Sequence, residues 1–124
     1  MKKKFSTKWI ASKQKRKQMK YTAKAPLHIK RKLISSNLSK ELRKIYKKRS
    51  VVLIKKDTVK IMRGSFKKRT GKIISVDVKK LRVFVDGIQK TKKDGSKINI
   101  PFNSSNLQII ELNQEDKKRF KKGE

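Results

Sequence analysis

A cation-rich stretch between two glycines has the clearest potential for chemistry in this sequence. It reads RGSFKKRTGK, from Arg63 to Lys72, and a glycine-rich loop that ends in Gly-Lys can hold the phosphates of a nucleotide. That loop has four residues between its glycines and a hydroxyl side chain after its lysine. Here six residues separate Gly64 from Gly71, and Ile73 follows the lysine. The spacing argues against a triphosphate-binding loop and favours a turn that carries charge to a larger anion.

Residues that could support catalysis or bind a metal are scarce. The chain has no cysteine, a single histidine at His28, and 9 acidic residues that are mostly solitary. Without thiolates or further histidines, a structural zinc is not expected. A nucleophile and its base would have to come together from distant parts of the chain. We therefore expect no enzymatic activity, no cofactor, no metal and no small-molecule substrate.

The net charge of the chain requires an anionic partner. It is +30, from 39 basic and 9 acidic residues in 124. Basic residues that neutralise phosphates release condensed counterions, and an arginine fork can hold one phosphate at two points. Nucleic acid is thus the favoured partner. Since the cations are dispersed, with no recognition helix, finger or basic zipper, a folded RNA fits them better than DNA does.

The surplus charge is concentrated in the first half, where residues 1–56 hold 21 basic residues and one acidic residue. Such a segment repels itself, and only 34% of the chain is hydrophobic, so we expect this half to order on its partner. The longest apolar run, VVLI at residues 51–54, is too short to span a membrane. The start lacks the apolar stretch of a secretory signal, whereas a basic, acid-free organelle transit peptide stays an open alternative.

The N-terminal residues 1–24 show no sustained hydrophobic period. Phe5, Trp9, Met19 and Tyr21 are isolated apolar residues among cations, which predicts an extended arm. These side chains could stack on bases or pack in an RNA groove, and they could equally belong to a disordered tail.

Two short helices are predicted after the arm. Pro26 suits the first turn of a helix that continues as LHIKRKLI, and residues 35–37, SSN, should end it. Ser39 is a suitable N-cap for the second helix, with Glu41 in the first turn, where an acidic side chain is favourable.

From residue 50 the hydrophobic period changes to two, which is typical of strands. Asp94-Gly95 predicts a tight hairpin turn, Pro101 a strand end or a sheet edge, and Asn113 the cap of a last short helix. Short strands in this number indicate a small barrel or sandwich, because closure removes sheet edges. The predicted strands are 51–54, 58–62, 72–78, 81–85, 88–93, 97–102 and 107–112.

Two blocks of the sequence resemble a known family. KDTVKIMRGSFKKRTGKIISVDVKKLRVFVDG, residues 56–87, is similar to the KOW motif. KAPLHIKRKLISSNLSKELRKIYKKRSV, residues 24–51, resembles the segment that precedes that motif in the universal large-subunit ribosomal protein family numbered twenty-four, in its archaeal and eukaryotic form. The similarity extends from about Ser12 to Arg119. A free KOW-containing factor of transcription elongation is the alternative, although the acid-free first 40 residues argue against it.

The resemblance implies a mainly β fold, an SH3-like barrel with basic extensions. It also implies a structural constituent of the large ribosomal subunit in the cytoplasm, with large-subunit rRNA and neighbouring ribosomal proteins as partners. Binding near the 5′ end of that rRNA, an early role in assembly and a hairpin near the nascent-chain exit follow from the family alone. The expected organisation is a basic extended arm at 1–25, a helical RNA-binding segment at 26–49, the KOW barrel at 50–112 and a charged tail at 113–124.

The resemblance and the charge pattern together predict a set of RNA-binding residues. They come from the arm, from the two helices and from the glycine-flanked loop. The predicted residues are Lys13, Lys15, Arg16, Lys17, Lys20, Lys24, His28, Lys30, Arg31, Lys32, Ser35, Ser36, Arg43, Arg49, Arg63, Gly64, Lys67, Lys68, Arg69 and Lys72.

The chain departs from the family at two positions, Lys56 and Lys68, where many relatives have glycine. A positive φ at a lysine costs on the order of 1 kcal/mol. Either the backbone differs here, or an added phosphate contact at Lys68 compensates the strain.

Overall fold

The structure is a computed structural model that describes residues 5, 6, 8 and 12–120. Trp9, which the arm interpretation included, lies outside these residues. The described chain contains three α-helices, seven strands and two short 3-10 helices. In chain order they are α1 Lys15–Lys24, α2 Leu27–Leu33, β1 Ser35–Leu38, α3 Lys40–Tyr46, β2 Ser50–Val52, β3 Thr58–Ile61, β4 Thr70–Asp77, β5 Arg82–Thr91, β6 Lys97–Phe102, the 3-10 helix Ser104–Asn106, β7 Leu107–Glu111 and the 3-10 helix Lys117–Phe120.

Helix α1 corrects the prediction of an extended arm for its ten residues. KRKQMKYTAK is rich in unbranched helix formers, but it has no apolar face, and none of its residues is buried. Hydrophobic periodicity therefore could not reveal it. Pro26 ends the helix because the residue before a proline is excluded from helical geometry, and Ala25 is extended at ψ 136°. Phe5 packs on Tyr21 with ring centroids 4.8 Å apart, so these two aromatics are not isolated.

The next two helices were predicted correctly. Pro26 directly precedes α2, and Ser39 caps α3 by accepting a hydrogen bond from the Leu42 amide at 3.5 Å. Helix α2 ends at Leu33, before the SSN segment, as predicted, but that segment also forms strand β1, which was not predicted. Within β1 the Ser36 side chain is buried, and its hydroxyl donates to the Ser104 carbonyl at 2.6 Å. This hydrogen bond allows a polar residue to occupy a core site.

The strands form one sheet in the order β2-β1-β7-β3-β4-β5-β6. The β1–β7 pair is parallel, with Asn37 opposite Gln108, and the other pairs are antiparallel. A mainly β fold is thus confirmed. Over the described residues no pairing joins β2 to β6, so the sheet is not the closed barrel that was expected. Both edges have other protection, since β2 has three residues and β6 contains Pro101, as an edge strand can.

A single core receives a buried side chain from every strand, which requires the sheet to curve around it. Register shifts in the β4–β5 and β5–β6 pairs accompany this curvature. The buried side chains of the strands are Leu38, Val51, Val59, Ile61, Ile73, Val83, Val85, Ile88, Phe102, Leu107 and Ile109.

The hairpin turn at Asp94-Gly95 is confirmed. The Lys92 amide donates to the Ser96 carbonyl at 2.8 Å, and Gly95 has φ +89°. The two strands predicted before this turn are one long strand, β5. The last helix is a 3-10 turn that begins at Lys117, later than predicted, so Asn113 does not cap it.

Candidate nucleic-acid interface

The loop between β3 and β4, residues 62–69, presents its backbone in a fixed shape. At its base the Ile61 amide donates to the Arg69 carbonyl at 2.9 Å, and the Lys68 amide donates to the Ile61 carbonyl at 2.8 Å. Gly64 turns the chain with φ +95°. The two backbone hydrogen bonds at the base make the loop a rigid extension of the β3–β4 hairpin.

Phe66 anchors this loop to the core. Its ring meets that of Phe102 edge-on, with centroids 6.1 Å apart, and the Arg69 guanidinium lies over the Phe66 ring, 5.3 Å from its centroid. With one aromatic residue directed inward, the cations of the loop face solvent. The exposed ones here and at the start of β4 are Arg63, Lys67, Lys68, Arg69 and Lys72.

The nucleotide-loop geometry is absent here, as the spacing indicated. Gly71 and Lys72 lie inside strand β4 rather than at the start of a helix. Gly71 serves a packing role instead, because a Cβ on it would lie 2.7 Å from the Asp86 carbonyl oxygen and 2.7 Å from Cγ1 of Val85.

Lys56 and Lys68 adopt the left-handed conformation that glycine favours, with φ +70° and +73°. The positive φ that strains a lysine is therefore present at both positions. Lysine takes the glycine-like conformation at both positions. A compensating phosphate contact at Lys68 stays a prediction.

The helices carry a second group of exposed cations. In α1 the candidate residues Lys15, Arg16, Lys17, Lys20 and Lys24 are exposed, and the helix has no acidic residue. Lys13, just before it, is exposed as well.

In α2 the side chains of His28, Arg31 and Lys32 are exposed. Lys30 is half-buried and donates from Nζ to the Lys79 carbonyl at 3.2 Å, which connects α2 to the β4–β5 turn. This helix therefore lies against the sheet and keeps its cationic face toward solvent.

Four candidate residues are not fully exposed. Ser36 is buried, and its hydroxyl already bonds to Ser104, which corrects its assignment as an RNA contact. Ser35 and Lys30 are half-buried. Arg43 is half-buried too, and its Nε is buried with no hydrogen-bond partner among the described residues. Arg49, just before β2, is exposed.

Carboxylates neutralise few of these cations. The ion pairs between described residues include Arg119–Asp57 at 2.6 Å, Lys56–Glu115 at 3.2 Å and Arg31–Asp116 at 4.0 Å. The hydrogen bond from Lys56 lowers the pKa of Glu115, and bonds from the Ser96 hydroxyl and amide lower the pKa of Asp94. Arg31 is the one candidate residue among these pairs, so the candidate surface keeps most of its positive charge.

A groove that lies beside α2 was not predicted from the sequence. It measures about 460 Å³ and lies between α2 and the C-terminal segment. Its apolar residues come from β2 and the turn after it, and Lys118 and Arg119 come from the C-terminal tail, which was predicted as charged with a short helix. No local signal connects these distant segments, because the contact between them depends on the fold. The lining residues are His28, Arg31, Lys32, Val52, Ile54, Asp116, Lys118 and Arg119.

Two other kinds of site have no counterpart in the described part of the chain. No group of three or more His, Cys, Asp or Glu side chains there could hold a metal ion. None of its helices has both the length and the apolar character to cross a membrane.

Comparison with protein families gives a match over nearly the whole chain. The model for the ribosomal proteins called L26 in eukaryotes, which carry the number twenty-four in archaea, matches residues 12–122. The match includes the helices, all seven strands and the cationic loop. With its exposed cations and its mainly β fold, the chain belongs to this family of large-subunit ribosomal proteins.

Proposed function

We propose that this protein is a structural constituent of the large ribosomal subunit that binds large-subunit rRNA through two cationic regions. Sixteen of the twenty predicted RNA-binding residues are exposed to solvent, and this observation carries the proposal. One region is the β3–β4 loop with the start of β4, and the other is formed by α1 and α2. Both regions present their cations with few competing carboxylates.

The proposal combines two kinds of cation, those on the hydrogen-bonded β3–β4 loop and those on the flexible side chains of α1. The β3–β4 loop is held by backbone hydrogen bonds and by Phe66, so the backbone that carries Arg63 and Arg69 loses little entropy when their side chains bind phosphates. Helix α1 has no buried residue and offers lysines on long, flexible side chains. Each phosphate that they neutralise adds affinity by counterion release.

The finer placement follows the family resemblance. We propose that the protein binds near the 5′ end of the large-subunit rRNA, acts early in assembly, and sits close to the nascent-chain exit beside neighbouring ribosomal proteins in the cytoplasm. The β5–β6 hairpin, with its turn at Asp94-Gly95, would extend toward that exit. Membership of a ribosomal family supports this role over that of a free transcription factor, and we assign no chemistry to the protein itself.

Sedimentation tests the proposal. The tagged full chain, expressed in cells, should co-migrate with the large subunit on a gradient after a salt wash, and a purely free fraction would contradict the ribosomal role. The purified chain should also bind an rRNA fragment from the 5′ end more tightly than an equally long fragment from the 3′ end, compared at one salt concentration. Equal affinity would retain RNA binding but reject the 5′ placement.

A further inference from the structure

We propose that the groove between α2 and the C-terminal segment binds one unstacked nucleotide of RNA, with its base inside and its phosphates at the rim. The inference rests on the proposed RNA binding, and it adds a site that includes residues of the C-terminal tail. Its groups come from three parts of the chain that the fold brings together.

The size of the groove suits such a ligand. Its volume of about 460 Å³ falls within the roughly 300–1,000 Å³ typical of small-ligand sites. Half-buried Val52 and Ile54 provide apolar surface, which a base face can cover as it leaves its stack.

The charges around the groove divide into occupied and available groups. Arg119 is bound to Asp57, and Arg31 lies 4.0 Å from Asp116. In contrast, the side chains of His28, Lys32 and Lys118 are exposed and have no side-chain partner within the described residues. Two free ammonium groups and an imidazole beside an apolar surface match the two halves of a nucleotide, its phosphates and its base.

The groove is also preorganised on its C-terminal side. The Arg119 guanidinium donates to the Val52 carbonyl at 2.9 Å and to the Asn113 carbonyl at 3.1 Å, and the Lys118 amide donates to Asp116 Oδ1 at 3.1 Å. These bonds fix the segment that carries Lys118 against the strand that carries Val52. A site held in this way loses little entropy when a nucleotide enters.

The assignment of roles follows from these positions. The His28 ring stacks on the base, as histidine does in single-stranded RNA recognition, while Val52 and Ile54 contact the base from the apolar side. Lys32 and Lys118 contact the flanking phosphates. A base-paired nucleotide cannot present its face in this manner, so the site selects single-stranded over duplex RNA.

The test uses methyl and imidazole NMR signals of the full chain. We expect a short polyuridine oligonucleotide to shift the methyl signals of Val52 and Ile54 and the His28 ring signals. A blunt RNA duplex of equal charge, and inorganic phosphate, should leave the methyl signals in place. The proposal would be overturned if the duplex shifted the methyl signals as much as polyuridine does. It would also be overturned if phosphate alone shifted the signals of the rim residues while polyuridine left the methyl signals in place.

Matched variants sharpen the test. His28→Ala should weaken polyuridine binding, followed at the Ile54 methyl, by about fivefold or more, and His28→Phe should restore it because stacking is retained. Lys118→Ala should lower the salt slope of the same titration by about 0.7, whereas Lys117→Ala, on the same segment outside the groove, should not. If both variants bound polyuridine with unchanged affinity and salt slope, the groove would be rejected as a nucleotide site, while RNA binding by the other cationic regions would stand. Loss of all RNA binding by the unaltered chain would reject the proposed function as well.

Discussion

Arg119 grips Asp57 with both arms of its guanidinium, from Nη2 to Oδ2 at 2.6 Å and from Nη1 to Oδ1 at 3.0 Å. The Arg119 side chain is 4% exposed and that of Asp57 is 0% exposed. The carboxylate also accepts the amides of Ile54 at 3.1 Å and Asn113 at 2.8 Å. One buried acid thereby joins the β2–β3 turn to the C-terminal segment, in a chain with a large excess of base.

Removing either partner should be strongly destabilising, because the other charge would remain buried and uncompensated. We expect Asp57→Ala or Arg119→Ala to lower the free energy of unfolding by about 3–5 kcal/mol in urea denaturation of the full chain. The control is Glu115→Gln, which breaks an exposed ion pair and should leave the free energy of unfolding nearly unchanged. Similar small losses in all three variants would show that the buried pair contributes little.

The two glycines of the β3–β4 hairpin should respond to alanine for different reasons. Gly71→Ala places a methyl group 2.7 Å from a backbone oxygen of β5, so β4 and β5 must move apart, and we expect a loss of about 1–3 kcal/mol. Gly64→Ala meets no atom within 4 Å but must hold φ +95°, which costs on the order of 1 kcal/mol. Thermal denaturation would compare them. A larger loss for Gly64→Ala would contradict the close approach at Gly71.

Replacing the strained lysine by the residue that relatives use should separate stability from binding. Lys68→Gly should raise the free energy of unfolding by about 1 kcal/mol, because φ +73° is unstrained for glycine. It should also lower the salt slope of RNA binding by about 0.7–0.9, the value for one phosphate that is no longer neutralised. Lys67→Gly is the control for stability, since Lys67 does not have a positive φ and glycine there should lower the free energy of unfolding. Greater stability with an unchanged slope would argue against a phosphate contact at Lys68.

Charge reversal tests the β3–β4 loop as an RNA contact. Arg63, Lys67 and Arg69 changed together to Glu should weaken binding to a 5′-end rRNA fragment, and the Ala versions should lower the salt slope by about 0.7–0.9 for each phosphate that they leave without a cation. The control reverses Lys90, Lys92 and Lys93, which are exposed on the β5–β6 hairpin and change the net charge equally. Equal weakening by both triple variants would mean that net charge, rather than this loop, determines the affinity.

The exposed pair Lys56–Glu115 makes a prediction about pH. Because Lys56 lowers the pKa of Glu115 from its ordinary 4.5 in the folded state, the pair stabilises the fold above that value. This stabilisation is lost as the pH falls through the lower, folded pKa. Carboxyl NMR titration of Lys56→Met should show the Glu115 pKa moving upward. The pKa of Asp94 should stay lowered in the same sample, since Ser96 causes that shift; an upward move of both would indicate a general field effect instead.

Elements with a strong local signal were predicted well from the sequence. Helix α3 begins after the Ser39 cap, and the Asp94-Gly95 turn has the hairpin geometry that its residues favour. Strand β6 was predicted with its observed limits, because alternation and the turn before it define its register. In each case the determining contacts lie within a few residues.

The elements that were missed lack the apolar periodicity on which the sequence predictions depended. Helix α1 lacks an apolar face, and β1 is a polar segment that becomes a strand through its neighbours, among them β7. Composition indicated the cations of the candidate interface but could not show that Ser36 is buried. It also could not show the groove, because His28, Val52 and Lys118 meet only in the folded chain.

The parallel pairing of β1 with β7 has a consequence for biosynthesis. Asn37 can pair with β7 only once Gln108 has been made, which happens 71 residues later (108 − 37), or about 4–14 s later at typical rates of translation. Through that interval α1 and α2 are already present on the growing chain, while the sheet that supports them is incomplete. The cations of α1, which are exposed in the folded protein as well, can therefore meet a polyanion well before the sheet is complete.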